Sequence, residues 1–144
     1  YSISNWKIRV GSRVRSEPVK VQIITLGQSI PKVSGGYQII TLRGHTGDMM
    51  NLYNAAQDYQ SDNTFYILGG CVSVQFVPKI ISQNKAVMAD KKIGESANNT
   101  YLLVQTIDRI GRSGSWSSFN NEIKGLSQRA TSQTYFPGEK LPVR

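Results

Sequence analysis

Residues 49–81 join two different hydrophobic periodicities, and this junction constrains the fold more than any other part of the sequence. In residues 49–59 apolar side chains recur every three to four positions, which predicts a short amphipathic helix. In residues 65–81 apolar and polar side chains alternate, which predicts a long strand with one buried face. Pro78 would end this strand, because it has no amide hydrogen for the ladder. A short helix therefore leads directly into a hydrophobic strand.

Most of the remaining chain has the composition of strands and loops. β-Branched and aromatic residues predict further strands at residues 1–10, 19–26, 37–43 and 100–108, and a last one in the tail after residue 128. A second helix is predicted at 116–125, and residues 82–98 are predicted to form a polar loop. Strands that do not alternate regularly with helices favour an all-β fold, an antiparallel β-sandwich.

The chain holds one histidine and one cysteine, two residue types used in nucleophilic catalysis. His45 lies in a glycine-rich turn, where Thr46 or Asp48 would cap the helix that follows, and it is interpreted as a polar turn residue. Cys71 lies in an apolar run and is interpreted as a buried small hydrophobic residue. A zinc site would need about four ligands close together, and the sequence shows no such cluster. We therefore expect no enzyme activity, no cofactor and no bound metal.

The net charge of +8, from 17 basic and 9 acidic residues, favours a polyanionic partner. Much of the excess lies in the first 20 residues, where cations alternate along an extended segment that could neutralise phosphates without reading a base sequence. The predicted nucleic-acid-binding residues are Lys7, Arg9, Arg13, Arg15 and Lys20. A solvated charged edge that discourages aggregation is the alternative for the same residues. No apolar run approaches the ~20 residues of a membrane-spanning helix.

The order of these elements forms a motif that extends from residue 19 to the end of the chain. A short helix ends in a tyrosine, aromatic residues and alternating Val and Phe follow, and a proline closes the segment; the next strand ends in an aspartate, and an aromatic helix comes after it. The motif residues are Tyr59, Phe65, Tyr66, Val72, Val74, Phe76, Pro78, Asp108, Trp116 and Phe119. This order resembles the single jelly-roll capsid (coat) proteins of small icosahedral viruses with single-stranded RNA or DNA genomes, including satellite viruses.

The resemblance implies a viral jelly roll with short helices in its C–D and E–F connections. Residues 19–144 would form the shell domain, and residues 1–18 a basic N-terminal arm or an extra strand. The family fold has eight strands and this chain shows about six, so the last strands would belong to a separate C-terminal piece, or residues 1–10 would supply one. Because the sequence starts at Tyr1, a longer basic arm is expected upstream.

The function implied by the resemblance is structural. Identical subunits would self-assemble into an icosahedral shell, and the basic residues on its inner face would package viral RNA or DNA. The expected location is the virion, and no membrane partner is expected. The alternative is a cellular β-sandwich binding module that acts as a monomer on nucleic acid or carbohydrate. An enzyme on a β-sandwich is disfavoured, because the sequence shows no catalytic constellation.

Overall fold

The computed structural model describes residues 2–10, 13–20, 32–109, 115–127 and 132–141, and in the first two ranges it describes the backbone alone. Along the chain its helices and strands are β1 (Ser2–Val10), β2 (Arg13–Lys20), β3 (Tyr37–Arg43), α1 (Met49–Ala56), β4 (Gln60–Gly69), α2 (Val77–Ile81), β5 (Ala86–Asp90), α3 (Ser96–Arg109), α4 (Trp116–Lys124) and β6 (Thr134–Tyr135).

A four-stranded mixed sheet lies at the centre, with the strands in the order β3, β4, β5 and β6. Strands β3, β4 and β5 are parallel to one another, and β6 is antiparallel to β5. Parallel neighbours need crossover connections. Helix α1 connects β3 to β4, and α2 connects β4 to β5. These βαβ units define an α/β architecture.

Helices cover both faces of the sheet. Strand β4 is buried on both sides, as expected for a parallel strand inside an α/β fold. Tyr66 and Leu68 pack in one hydrophobic core with α1 and α2, whereas Phe65 and Ile67 pack in a second core with α3 and α4. The fold therefore has three layers, with two helices on each side of one sheet.

The predicted all-β antiparallel sandwich, and with it the viral jelly roll, is wrong, because the described part of residues 19–144 forms a mixed α/β fold. The predicted strand at 100–108 lies within α3, where Leu102 packs on the sheet. Its β-branched residues favour a strand, but tertiary packing of a helical stripe overrides that weak preference. The polar loop predicted at 82–98 contains β5, a buried inner strand of the sheet.

Residues 65–69 of the strand predicted at 65–81 lie in β4, but the alternating segment that follows is not a strand. Val72 lies in a turn, Val74 and Phe76 lie in a 3-10 helix over Ser73–Phe76, and Pro78 lies in the first turn of α2. A proline is tolerated there because the first turn of a helix needs no amide hydrogen from it. Asp108 lies in the last turn of α3 and does not end a strand.

Other predicted elements are confirmed. The strand at 37–43 is β3, and the helix predicted at 49–59 is α1 followed by one 3-10 turn that ends at Tyr59. The helix predicted at 116–125 is α4, which Ser115 caps by accepting a hydrogen bond from the Ser118 amide at 3.1 Å. The motif residues Phe65, Trp116 and Phe119 pack together, with ring centroids 5.5–5.7 Å apart.

The N-terminal residues form an antiparallel hairpin of β1 and β2. The ladder pairs Lys7 with Ser16, Arg9 with Val14, Val10 with Arg13, Ile8 with Arg15, and Ser2 with Lys20. All five predicted nucleic-acid-binding residues thus lie on this hairpin, and their role stays a prediction. Residues 19 and 20 of the strand predicted at 19–26 lie in β2, and residues 21–26 lie outside the described part of the chain.

Candidate active site

The carboxyl ends of parallel strands meet at one edge of the sheet, where α/β proteins usually bind their ligands. Strands β3 and β4 pair in register, with Arg43 opposite Gly69 at their ends. Two residues beyond Arg43 lies His45, and two residues beyond Gly69 lies Cys71. These are the only histidine and the only cysteine of the chain. The fold thus places them in neighbouring loops at this carboxyl edge.

Cys71 occupies the corner of a strand-to-helix turn. Residues 70–73 connect β4 to the 3-10 helix that precedes α2, and the Ser73 amide donates to the Gly70 carbonyl oxygen at 3.0 Å. Cys71 is exposed at the tip of this turn, which corrects its interpretation as a buried hydrophobic residue. Val72 follows it in the left-handed region at φ 53°, a conformation that is strained for a β-branched residue. Such strain is characteristic of functional turns that display a side chain.

Direct hydrogen bonds join this turn to the loops on both sides. The Thr46 hydroxyl, next to His45 in the chain, donates to the Cys71 carbonyl oxygen. The Val72 amide donates to the carbonyl oxygen of Lys92, in the loop after β5, at 2.7 Å. His45 itself is exposed. The histidine loop and the cysteine loop are therefore in contact, and the side chains of both residues are open to solvent.

Glycines allow the three loops to approach this closely. A Cβ atom at Gly70 would lie 2.6 Å from Met49 Cε and 2.9 Å from the Gly44 carbonyl oxygen. A Cβ atom at Gly94 would lie 2.5 Å from Asp90 Oδ2 and 3.2 Å from the Gly70 carbonyl carbon. Distances below 3.0 Å are incompatible with a side chain unless neighbouring atoms move. The backbones that carry His45 and Cys71 thus approach more closely than side chains would permit.

Beneath the turn lies a buried polar network. The Ser73 hydroxyl donates to the Leu68 carbonyl oxygen at 2.9 Å and accepts from the Asp90 amide at 3.0 Å. The Asn99 side-chain amide on α3 donates to Asp90 Oδ2 at 3.1 Å. Burial raises the pKa of the Asp90 carboxyl from its ordinary value of 3.8 to about 6, and the Asn99 amide and the Arg43 guanidinium oppose this effect. The network ties the turn to β4, β5 and α3.

A thiol and an imidazole in neighbouring loops are the parts of a nucleophile and base pair. The imidazole can accept the thiol proton and return it later to a leaving group. The arrangement is therefore suited to acyl transfer. Cys71 is exposed on a strand-to-helix turn, which is also where the nucleophile lies in α/β-hydrolases, although the residues around it do not form a G-x-S-x-G motif.

Sequence reasoning missed this pair for an identifiable reason. His45 and Cys71 were interpreted separately, and the predicted strand over 65–81 placed Cys71 inside a ladder. The available signal was a repeated pattern: one hydrophobic run ends in Gly44-His45, and another ends in Gly70-Cys71. Two such runs are typical of parallel strands whose carboxyl ends carry functional residues. Thr46 and Asp48 were predicted as helix caps, but neither side chain makes a cap hydrogen bond.

The described residues show no other centre of this kind. Within them, no group of three or more histidine, cysteine, aspartate and glutamate side chains could hold a metal ion. None of the helices in the described ranges is both long and apolar enough to span a membrane. Comparison with protein-family models, curated proteins and solved structures finds no match to this chain. The functional argument therefore depends on the geometry of the carboxyl edge.

Proposed function

We propose that this protein is a thiol-dependent acyl hydrolase that acts on peptide bonds, with Cys71 as the nucleophile and His45 as the general base. One observation carries the proposal: the single cysteine and the single histidine each lie two residues beyond the paired ends of adjacent parallel strands. The expectation that the chain is not an enzyme was based on the lack of a catalytic constellation in the sequence, because His45 was interpreted as a polar turn residue and Cys71 as a buried hydrophobic residue. The two residues instead lie in loops that are in contact.

In the proposed reaction, Cys71 Sγ attacks the carbonyl carbon of the peptide bond while His45 accepts the thiol proton. The carbon–nitrogen bond then breaks, His45 gives its proton to the leaving amine, and the acyl group stays on sulfur as a thioester. Water attacks the thioester and gives a proton to His45, which returns it to the departing thiolate. The products are a carboxylic acid and an amine, and the enzyme is regenerated.

The same edge offers hydrogen-bond donors for the oxyanion of the tetrahedral intermediate. The candidates are the amides of Thr46 and Gly47, which open the helical segment after His45. A helix start leaves its first amides without intrahelical acceptors. Such fixed donors stabilise the negative charge that develops on the carbonyl oxygen.

The exposure of both side chains supports a peptide substrate. Cys71 and His45 lie at the surface and not within a closed cavity. An extended peptide can present its backbone carbonyl to such an open edge. Two apolar side chains are exposed near the thiol, Val72 in the turn itself and Ile93 next to Lys92 in the loop after β5, and they would contact the neighbouring residues of the substrate.

The test is hydrolysis of a fluorogenic peptide library by the wild type, Cys71→Ala and His45→Ala. Gln75→Ala, an exposed change in the 3-10 helix just after the turn, is the matched control. We expect wild-type and control activity on part of the library, and none in the other two variants. A folded wild type that cleaves no peptide, or a Cys71→Ala variant with full activity, would refute the proposal.

Assembly into an icosahedral shell around viral nucleic acid stays a prediction from the sequence. Its basis was the jelly roll, which the described residues do not form. Light scattering of the purified chain separates the two functions. Particles of megadalton mass that contain nucleic acid would support the capsid, and a monomer or small oligomer would remove the remaining reason for it. Nucleic acid in such particles would also support the predicted nucleic-acid-binding residues, which are Lys7, Arg9, Arg13, Arg15 and Lys20.

A further inference from the structure

Thr46 links the two halves of the proposed catalytic pair. It follows His45 directly in the chain, and its hydroxyl donates to the carbonyl oxygen of Cys71. The hydrogen bond connects residues 25 positions apart and runs from one loop of the site to the other.

The position of Thr46 in the helix start does not explain this contact. A threonine before a helix usually caps it by accepting a hydrogen bond from a backbone amide. Here the residue at the cap position of the 3-10 segment is His45, that of α1 is Asp48, and neither helix start has a side-chain cap hydrogen bond. The Thr46 hydroxyl therefore serves the contact between the loops and not the helix.

The cysteine turn is also fixed from below and from the opposite side. Ser73 is fully buried, and its hydroxyl holds the turn to β4 and β5 through Leu68 and Asp90. The Val72 amide bonds to the Lys92 carbonyl oxygen at 2.7 Å on the side of β5. On the side of His45, where Gly70 packs against Gly44, the Thr46 hydroxyl adds a hydrogen bond to the turn.

We propose that Thr46 is a positioning residue that sets the placement of the His45 imidazole relative to the Cys71 thiol. The inference rests on the proposed function, because positioning has meaning only if the two side chains react together. A misplacement of about 1 Å between reacting groups can lower a rate by about 100-fold. The Thr46 hydroxyl bonds to the backbone of Cys71 and Thr46 follows His45 in the chain, so the hydroxyl would act through these two residues and not on the substrate.

The chain provides a sharp pair of variants. Thr46→Val keeps the shape of the side chain and removes the hydroxyl, whereas Thr46→Ser keeps the hydroxyl and removes a methyl group. Thr100→Val, an exposed change in α3, controls for the loss of a threonine elsewhere. We expect Thr46→Val to lower kcat by at least about 10-fold with KM changed by less than about threefold. Thr46→Ser and Thr100→Val should stay close to the wild type.

A second readout needs no substrate. Because Cys71 is the only cysteine, its alkylation by iodoacetamide at pH 7 can be followed by intact mass spectrometry. We expect Thr46→Val to slow alkylation of the native protein when His45 is present, and to have no effect in a His45→Ala background. This coupling is a signature of positioning that a general loss of stability would not produce.

The outcomes separate the two proposals. If His45→Ala slows alkylation and Thr46→Val does not, the catalytic pair stands and the role of Thr46 is overturned. If His45→Ala has no effect on alkylation, the catalytic pair is wrong and the positioning role falls with it. Equal loss in Thr46→Val and Thr46→Ser would also overturn the role, since the hydroxyl would then be irrelevant.

Discussion

The two edges of the parallel sheet are built differently. At the carboxyl edge, glycine backbones pack against one another, Val72 is held in the left-handed region, and two chemically reactive side chains are exposed. At the amino edge, a lysine is paired with backbone carbonyl oxygens and aromatic rings pack on one another. Lys85 Nζ donates to the carbonyl oxygens of Ser61 and Asp62 at 2.9 and 2.6 Å. Trp116 packs on the ring of Phe65.

The amino edge also has a residue in the left-handed region, but its residue type tolerates this backbone conformation. Asn84, before β5, has φ 57°, and asparagine adopts this conformation at little cost. Next to it lies an open cleft of about 350 Å³ beside Trp116 and Lys85. Strain and reactive groups thus coincide at one edge of the sheet, while the other edge has contacts that stabilise the fold, and substitutions can test this division.

The largest contrast is expected between Cys71→Ala and Trp116→Ala. Loss of the nucleophile should lower kcat by about a thousand-fold or more, since the residues of a catalytic pair act as a unit. The unfolding temperature should change little, because Cys71 is exposed. Trp116→Ala removes ring contacts with Phe65 and Phe119 and should cost about 2 kcal/mol of unfolding free energy while kcat is retained. Peptide hydrolysis and thermal unfolding measure both. Equal losses of activity would contradict the division.

Glycine substitutions test the close approach of the loops. Gly70→Ala would place a Cβ atom against Met49 and the Gly44 carbonyl oxygen, so we expect a loss of about 2–3 kcal/mol in urea unfolding. Gly47→Ala is the control, since no atom lies within 4 Å of its Cβ position. Its unfolding free energy should stay within about 0.5 kcal/mol of the wild type. A neutral Gly70→Ala would mean that the loops are not packed as described.

Asp90 predicts a pH dependence of stability. Its pKa is raised from 3.8 to about 6 in the folded state, so the folded chain holds this proton more tightly than the unfolded chain does. Stability from this group is therefore greatest at low pH and declines as the pH rises from about 4 to about 6, by at most about 3 kcal/mol. Asp90→Asn should lack this decline and keep a hydrogen bond to Asn99.

The measurement is urea unfolding of both proteins at several pH values. The quantity compared is the unfolding free energy of Asp90→Asn minus that of the wild type. This subtraction removes the contribution of Glu139, whose pKa is lowered and whose contribution to stability is lost as the pH falls. This difference should grow in favour of Asp90→Asn between pH 4 and pH 7. A difference that does not change with pH would show that burial does not raise the pKa of Asp90.

The smallest effect concerns the two left-handed residues. Val72→Gly should raise the unfolding free energy by about 1 kcal/mol, because glycine adopts positive φ without strain. Asn84→Gly should change it by no more than a few tenths of a kcal/mol. Differential scanning calorimetry of both variants compares the edges directly. A loss of stability in Val72→Gly would argue against strain at the cysteine turn.

Sequence patterns predicted part of this molecule well. The strand at β3 and the helices α1 and α4 follow from strong local signals: a β-branched run, an apolar stripe, and the cap at Ser115. Such segments keep their preference because their local pattern and their packing agree. Strand β1, the first strand of the hairpin, also agrees with the strand predicted at residues 1–10.

The errors arose where the hydrophobic periodicity of a segment and its tertiary contacts favour different structures. In residues 72–76 apolar and polar side chains alternate as they do in a strand. The chain instead turns at Val72 and forms a 3-10 helix, in which Val74 and Phe76 pack beside the core of α1 and α2. Strand β5 was missed because the residues on both sides of it are polar. The site could not be predicted from either residue alone, because the register between β3 and β4 places the His45 loop beside the Cys71 turn, and register is a tertiary property.

The most direct test is single-turnover acylation by p-nitrophenyl acetate, which requires no knowledge of the natural substrate. If Cys71 and His45 act as nucleophile and base, we expect a burst of nitrophenolate no larger than one per chain, an acetyl group mapped to Cys71 by mass spectrometry, and no burst in His45→Ala. Acetylation of Cys71 at the same rate in the wild type and in His45→Ala would contradict the claim, because the thiol would then react without its base.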